Sequence, residues 1–75
     1  MRLPEFEKLY SNSKSYKCVY TIYNDGKILV EIDTRMITPQ IYLYTLEEKY
    51  CWNFDKDGYQ SMCKMFEIEK NKLEV

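Results

Sequence analysis

The chain has 75 residues, with 11 basic and 12 acidic side chains for a net charge of −1, and it contains eight tyrosines but no histidine. A chain of this length forms one domain, residues 1–75, and its balanced charge lacks the basic stripe of nucleic-acid-binding domains. Histidine is the usual general base and a common metal ligand, so its absence argues against an enzyme and against a metal site. The composition favours binding over catalysis.

The cysteines and the apolar segments bear on the cellular compartment. Cys18, Cys51 and Cys63 are odd in number and form no C-x-x-C motif, a pattern that indicates reduced thiols. The N-terminal residues lack the apolar core of a signal peptide. The longest aliphatic run covers residues 28–30, far short of the ~20 residues of a membrane span. We therefore expect a cytoplasmic protein without membrane contact, cofactor or metal.

Residues 4–10 are predicted to form a short helix. Pro4 suits the first helical position, and Glu5 and Glu7 suit the positive end of the helix dipole. Residues 6, 9 and 10 share one apolar face, which should dock on the body of the domain because so short a helix is unstable alone. Residues 11–15 have the composition of a loop.

Residues 16–34 alternate between apolar and polar side chains, which predicts a β-hairpin. The turn at residues 23–27 permits two registers: a two-residue loop pairs Ile22 with Leu29, and a three-residue loop with a glycine bulge at Gly26 pairs Ile22 with Ile28. We favour the second register because it opposes apolar residues along one face. The further pairs it predicts are Tyr20 with Val30 and Cys18 with Ile32.

Residues 41–54 are predicted to form a second hairpin with Glu47 and Glu48 near its tip. If Trp52 and Phe54 face inward, a two-residue turn at these glutamates places Ile41 and Leu43 on the same side. Both arms are rich in β-branched and aromatic residues. Pro39 cannot donate to a strand ladder and marks a strand start or a sheet edge. The alternative is a helix with Thr38 as its cap and Pro39 at its first position.

Residues 57–71 are predicted to form an amphipathic helix capped by Asp57, with Gln60 as the capping-box partner. The alternative is a turn at 55–58 followed by a strand over 59–68. Residues 53–58 match part of a calcium-binding loop, but its twelfth position is Lys64 instead of the required glutamate, so we expect no metal there. The helical stripe consists of Tyr59, Met62, Cys63 and Phe66.

The predicted fold class is therefore α+β. An antiparallel sheet of three to four strands should carry a short N-terminal helix and a C-terminal helix that covers one face. The core should consist of Tyr20, Ile22, Ile28, Val30, Ile32, Trp52, Phe54, Met62 and Phe66.

The opposite face of the sheet is the predicted binding surface. Tyrosines are enriched at the centres of protein interfaces, and carboxylates beside them would steer the domain toward a basic partner. The competing interpretation is that most of these tyrosines fill the core. The predicted partner-binding residues are Tyr23, Glu31, Asp33, Tyr42, Tyr44, Glu47 and Glu48.

In size and composition the chain resembles the small inhibitors that phages make against host enzymes, anti-CRISPR proteins among them. It is a small solitary domain without catalytic equipment, it has no alanine, and its nine lysines against two arginines suggest AT-rich coding. The resemblance implies a non-catalytic inhibitor, encoded by a phage or mobile element, that covers a basic, nucleic-acid-handling surface of a host enzyme. The alternatives are a single-stranded nucleic-acid-binding sheet and a homodimeric structural or regulatory protein.

Overall fold

The computed structural model describes residues 3–13 and 17–73. The strands form one antiparallel sheet in the order β1-β2-β3-β4. The predicted α+β class is thereby confirmed, and the alternatives of a helix from residue 38 and a strand over 59–68 are wrong. In chain order the elements are α1 (Phe6–Ser13), β1 (Val19–Asn24), β2 (Leu29–Asp33), β3 (Gln40–Tyr44), β4 (Lys49–Asn53) and α2 (Lys56–Leu73).

Both helices contribute to a core on one face of the sheet, called the inner face below. α2 packs against β3 and β4, and Leu9 of α1 belongs to the same buried cluster. Most predicted core residues are buried, whereas Tyr20, Ile22 and Trp52 are half-buried against the cluster. Buried residues that the core prediction omitted are Leu9, Tyr23, Ile41, Leu43 and Tyr59.

The first hairpin adopts neither predicted register. The N–H of Asp25 donates to the carbonyl of Ile28 at 3.2 Å, which leaves a two-residue loop with Gly26 at φ +87°. A positive φ at the first central position is typical of a type II′ turn, which glycine adopts without strain. Tyr23 therefore pairs with Val30 beside the turn.

A β-bulge then restores the side-chain alternation that the sequence predicts. Ile22 is the extra residue, because the register shifts between Thr21 and Tyr23. Beyond the bulge, Tyr20 pairs with Ile32 and an exposed Cys18 is bonded to Thr34. The predicted opposition of Cys18 and Ile32 is therefore wrong, and the predicted strand start at residue 16 lies outside the described residues.

The second hairpin has its turn one residue earlier than predicted. The N–H of Thr45 donates to the carbonyl of Glu48 at 2.8 Å, so Leu46 and Glu47 form the loop. Moving a turn by one residue shifts the cross-strand pairing by two, which leaves every side chain on its predicted face. Ile41 and Leu43 accordingly lie buried on the inner face.

Asp55, and not Asp57, caps α2. Its Oδ1 accepts the N–H of Gly58 at 2.7 Å, and its carbonyl accepts the N–H of Tyr59 at 2.8 Å. These are the two bonds of an N-cap residue. Asp57 lies in the first turn instead, where its charge complements the helix dipole. The predicted stripe is confirmed, with Met62 and Phe66 buried against the sheet.

The N-terminal helix extends further than predicted, to Ser13, whose Oγ donates to the carbonyl of Tyr10 at 2.9 Å. Residues 11–13 are helical instead of forming a loop, and residues 14 and 15 lie outside the described residues. The ring of Phe6 meets the ring of Phe54 edge-on with centroids 5.5 Å apart. The Tyr59 hydroxyl donates to the carbonyl of Pro4. These contacts dock α1 on the core, as the apolar face predicts.

A candidate binding face on the sheet

The face of the sheet opposite the helices is the candidate site, and we call it the outer face. In the described part of the chain no helix packs on it. The strand register arranges the side chains of this face in rows that cross the four strands. The central row consists of Thr21, Glu31, Tyr42 and Cys51. The residues of the outer face are Val19, Thr21, Leu29, Glu31, Asp33, Gln40, Tyr42, Tyr44, Lys49, Cys51 and Asn53.

Two stacked tyrosines occupy the middle of the outer face. The rings of Tyr42 and Tyr44 lie 6.1 Å apart between centroids at an interplanar angle of 22°. They are two residues apart on β3, so their side chains leave the sheet on the same side. Lys49 on β4 places its Nζ 5.6 Å from the Tyr42 centroid and 5.5 Å from the Tyr44 centroid. Stacking and this cation–π contact order both rings through contacts within the chain itself.

Both phenols of the tyrosine pair are uncharged at neutral pH. Partial burial raises the pKa of both phenols above the ordinary value. Glu31 pairs with Tyr42 across β2 and β3 and so lies beside the rings, and its charge adds to the rise in the pKa of Tyr44. The phenols therefore stay protonated well above neutral pH and can both donate and accept hydrogen bonds.

Asp33 does not contribute the free negative charge expected of it. Only 6% of the residue is exposed, and Arg35 binds it with two side-chain contacts, Nε to Oδ1 at 3.1 Å and a terminal guanidinium nitrogen to Oδ2 at 3.0 Å. Hydrogen bonds from the Arg35 side chain and backbone hold the pKa of Asp33 below its ordinary value. The carboxylate is thus paired within the chain.

The expected position of Tyr23 on the outer face is wrong. The bulge at Ile22 turns its side chain to the inner face, where it is 7% exposed and packs on Phe66 of α2. Its hydroxyl donates to Asp25 at 2.8 Å and accepts from the ammonium of Lys70 at 2.8 Å. Tyr23 therefore joins the first hairpin to α2 and is not available to a partner.

Glu47 and Glu48 lie at the exposed tip of the second hairpin, beyond the tyrosine pair. The Oγ1 of Thr45 accepts both backbone N–H groups, at 3.2 Å from Glu47 and 2.9 Å from Glu48. This side-chain bridge holds the turn. The carboxylates themselves remain exposed.

Polar residues that the sequence did not single out complete the outer face. Gln40 accepts from the Cys51 thiol at 2.9 Å and donates to Asn53 at 3.1 Å. The strand alternation of residues 49–53, combined with the turn, could have placed Lys49 opposite Tyr44. The pairing of Arg35 with Asp33 had no sequence signal, because it depends on the bend that follows β2.

The outer face offers hydrogen-bonding groups, rings and charges, but no cluster that would hold a metal. Among the described residues, no group of three or more His, Cys, Asp or Glu side chains could bind a metal ion. Within the same residues, neither helix is long and apolar enough to cross a membrane. Comparison of the chain with protein-family models, curated proteins and solved structures finds no match.

Proposed function

We propose that this protein is a non-catalytic protein-binding module whose outer face contacts the partner. The observation that carries the proposal is the stacked pair Tyr42 and Tyr44, half-buried at the middle of a sheet face. Each ring already has a defined position, so binding costs less side-chain entropy than it would with free rotors. Aromatic side chains with a hydroxyl suit an interface centre that is apolar but still hydrogen-bonded.

The charges around the rings indicate a mixed polar partner surface. Asp33 is neutralised by Arg35, and Lys49 adds a positive charge over the rings. Glu31 remains beside the pair, and the two glutamates of the hairpin tip lie beyond it. These three carboxylates support the narrower role of an inhibitor, encoded by a phage or mobile element, that covers a basic surface of a host enzyme. The composition of the chain is the second feature that supports this role.

Affinity capture from a cell lysate tests the binding function when three forms of the protein are compared. The variant Tyr42→Ala/Tyr44→Ala should lose the partner that the wild type retains. The matched control Lys64→Ala/Glu67→Ala changes two exposed residues of α2, away from the outer face, and should retain it. Circular dichroism and thermal melts check that all three fold. Equal retention by the double tyrosine variant and the wild type would refute the proposed interface.

A second candidate function is self-association through the outer edge of β4, with which no further strand of the described residues pairs. The edge strand β1 carries a bulge, which discourages edge-to-edge pairing, whereas β4 pairs regularly over all five of its residues. Hydrogen bonds close the pairs 45–48 and 39–54. Because hydrogen-bonded pairs alternate in an antiparallel ladder, Lys49 and Cys51 direct their backbone N–H and C=O groups away from β3.

Sedimentation over a concentration series tests this second function with a proline variant. Cys51→Pro removes an N–H that β3 does not use, so the domain should fold while any edge-paired dimer dissociates. Cys51→Ala is the control, since it removes the same thiol and keeps the N–H. A wild type that stays monomeric up to millimolar concentration would exclude this function.

A further inference from the structure

A cavity of about 300 Å³ opens between the tips of the two hairpins and the C-terminal end of α2. The apolar part of its wall is formed by Leu46 and Leu73. The acidic part is formed by Glu47, Glu48 and Glu69. Leu46 is 79% exposed at the loop tip. A cavity with apolar walls and converging acidic groups suits a ligand with an alkyl chain and a positive end.

Glu69 is the principal polar group of this cavity. Only 7% of the residue is exposed, which is unusual for a carboxylate. Its Oε1 accepts from the Tyr50 hydroxyl at 3.0 Å and from the Lys72 ammonium at 3.2 Å. The bond to Glu69 raises the pKa of the Tyr50 phenol, which keeps that hydroxyl a donor. Among the described residues, Oε2 of Glu69 has no hydrogen-bond partner.

The charge of the cavity is negative. Three carboxylates face two lysines, Lys27 and Lys72, and the helix end adds to the excess. α2 spans Lys56–Leu73, and its C-terminal end carries the negative end of the helix dipole. The position of Lys72 indicates which chemistry the carboxylate accepts, since a primary ammonium already contacts its other oxygen.

We propose that this cavity binds a basic side chain of a partner protein. The cationic head contacts Oε2 of Glu69, and the alkyl stem lies between Leu46 and Leu73. A charge-assisted hydrogen bond to a nearly buried carboxylate is stronger than one on an open surface. Lys72 acts as an internal competitor for the same carboxylate. The proposal is independent of the pair Tyr42 and Tyr44, because Tyr50 and Glu69 lie on the inner side of the sheet.

The test is an NMR titration of the isotopically labelled protein with N-acetyl-lysine methylamide. Its norleucine analogue has a similar stem without the charge and serves as the ligand control. We expect saturable shifts of the Leu46 and Leu73 methyl groups and the Tyr50 ring with the lysine compound only. Glu69→Gln should weaken binding by about tenfold, and Lys72→Met should strengthen it several-fold.

Further variants distinguish binding at Glu69 from nonspecific attraction between charges. Glu31→Gln removes an equal charge from the outer face and should bind like the wild type. Leu46→Ser changes a side chain that carries little of the fold and should weaken binding even if Glu69→Gln unfolds. The Tyr42→Ala/Tyr44→Ala variant should bind the lysine compound normally, which keeps this site distinct from the proposed interface. Equal shifts with both compounds, no saturable shift, or unchanged affinity in both Glu69→Gln and Leu46→Ser would overturn the proposal.

Discussion

The ring of Tyr23 meets the ring of Phe66 edge-on, with 4.7 Å between centroids and an interplanar angle of 85°. This contact joins the edge strand β1 to α2, although α2 packs mainly over β3 and β4. The hydroxyl of Tyr23 continues the connection through Asp25 and Lys70. Tyr23 thus links the turn of the first hairpin to the last turns of α2.

Removing parts of Tyr23 should separate the ring contact from the hydrogen bonds. Tyr23→Phe keeps the ring and should lower the free energy of unfolding by about 1–2 kcal/mol, because Asp25 and Lys70 lose a shared partner. Tyr23→Ala should lower it by about 3–5 kcal/mol through the loss of a buried ring. Urea denaturation measures both. Tyr44→Phe on the outer face is the control, and equal losses for Tyr23→Phe and Tyr44→Phe would contradict the network.

The carboxylate of Asp25, in the turn of the first hairpin, should make the free energy of unfolding depend on pH in the acid range. Hydrogen bonds from the N–H groups of Ile28 and Lys27, followed by those from Tyr23 and Lys70, hold its pKa far below the ordinary value. A pKa lowered on folding stabilises the protein above the unfolded value of about 3.9, and this stabilisation is lost as the pH falls below it.

Urea midpoints of the wild type and Asp25→Asn at pH 7 and pH 3 measure this effect. The variant should be less stable at pH 7, and the difference should shrink at pH 3, because Asp25 of the unfolded wild type is largely protonated there while the folded carboxylate stays ionised. Glu47→Gln, at an exposed position of the second turn, should follow the wild type at both pH values. A difference that stays constant between the two pH values would show that charge is not the cause.

Gly58 should resist substitution although it lies in a helix. A Cβ at this position would lie 1.9 Å from the carbonyl oxygen of Asn53, where no rotamer can relieve the clash. Replacing an ordinary glycine inside a helix by alanine raises the free energy of unfolding by about 1 kcal/mol. Gly58→Ala should instead lower it by about 1–3 kcal/mol. Thermal unfolding checks the sign, with Ser61→Ala in the same helix as the control. A gain in stability would mean that α2 can move away from β4 at no cost.

The aromatic cluster under α1 should depend more on Phe54 than on Trp52. Phe54 is buried against Phe6 and Tyr10, whereas Trp52 is half-buried and stacks on Tyr50 along β4. Phe54→Ala should lower the free energy of unfolding by about 3–5 kcal/mol, and Trp52→Ala should lower it by less. Urea denaturation of the two variants gives the order, and the reverse order would contradict this assignment of the core.

The elements with strong periodicity were predictable from the sequence. The stripe of α2 and the alternation of residues 41–44 each repeat often enough to identify both the element and its buried face. The register of the first hairpin was not predictable from the sequence, because it depends on one bulge and one turn. The bulge turns Tyr23 to the inner face, and local alternation cannot reveal an inserted residue. The candidate site divides in the same way: Tyr42 and Tyr44 face outward as expected, whereas Tyr23 does not.

The sequence by itself determined the α+β class, the two hairpins, the apolar side of each regular element and the outward tyrosines of β3. These follow from side-chain periodicity, which is a local property of the chain. Only the tertiary structure decided that Arg35 neutralises Asp33, that Asp55 caps α2, and that Glu69 is buried beside a cavity. Each of these depends on the distance between segments after packing, and residue order alone does not specify that distance.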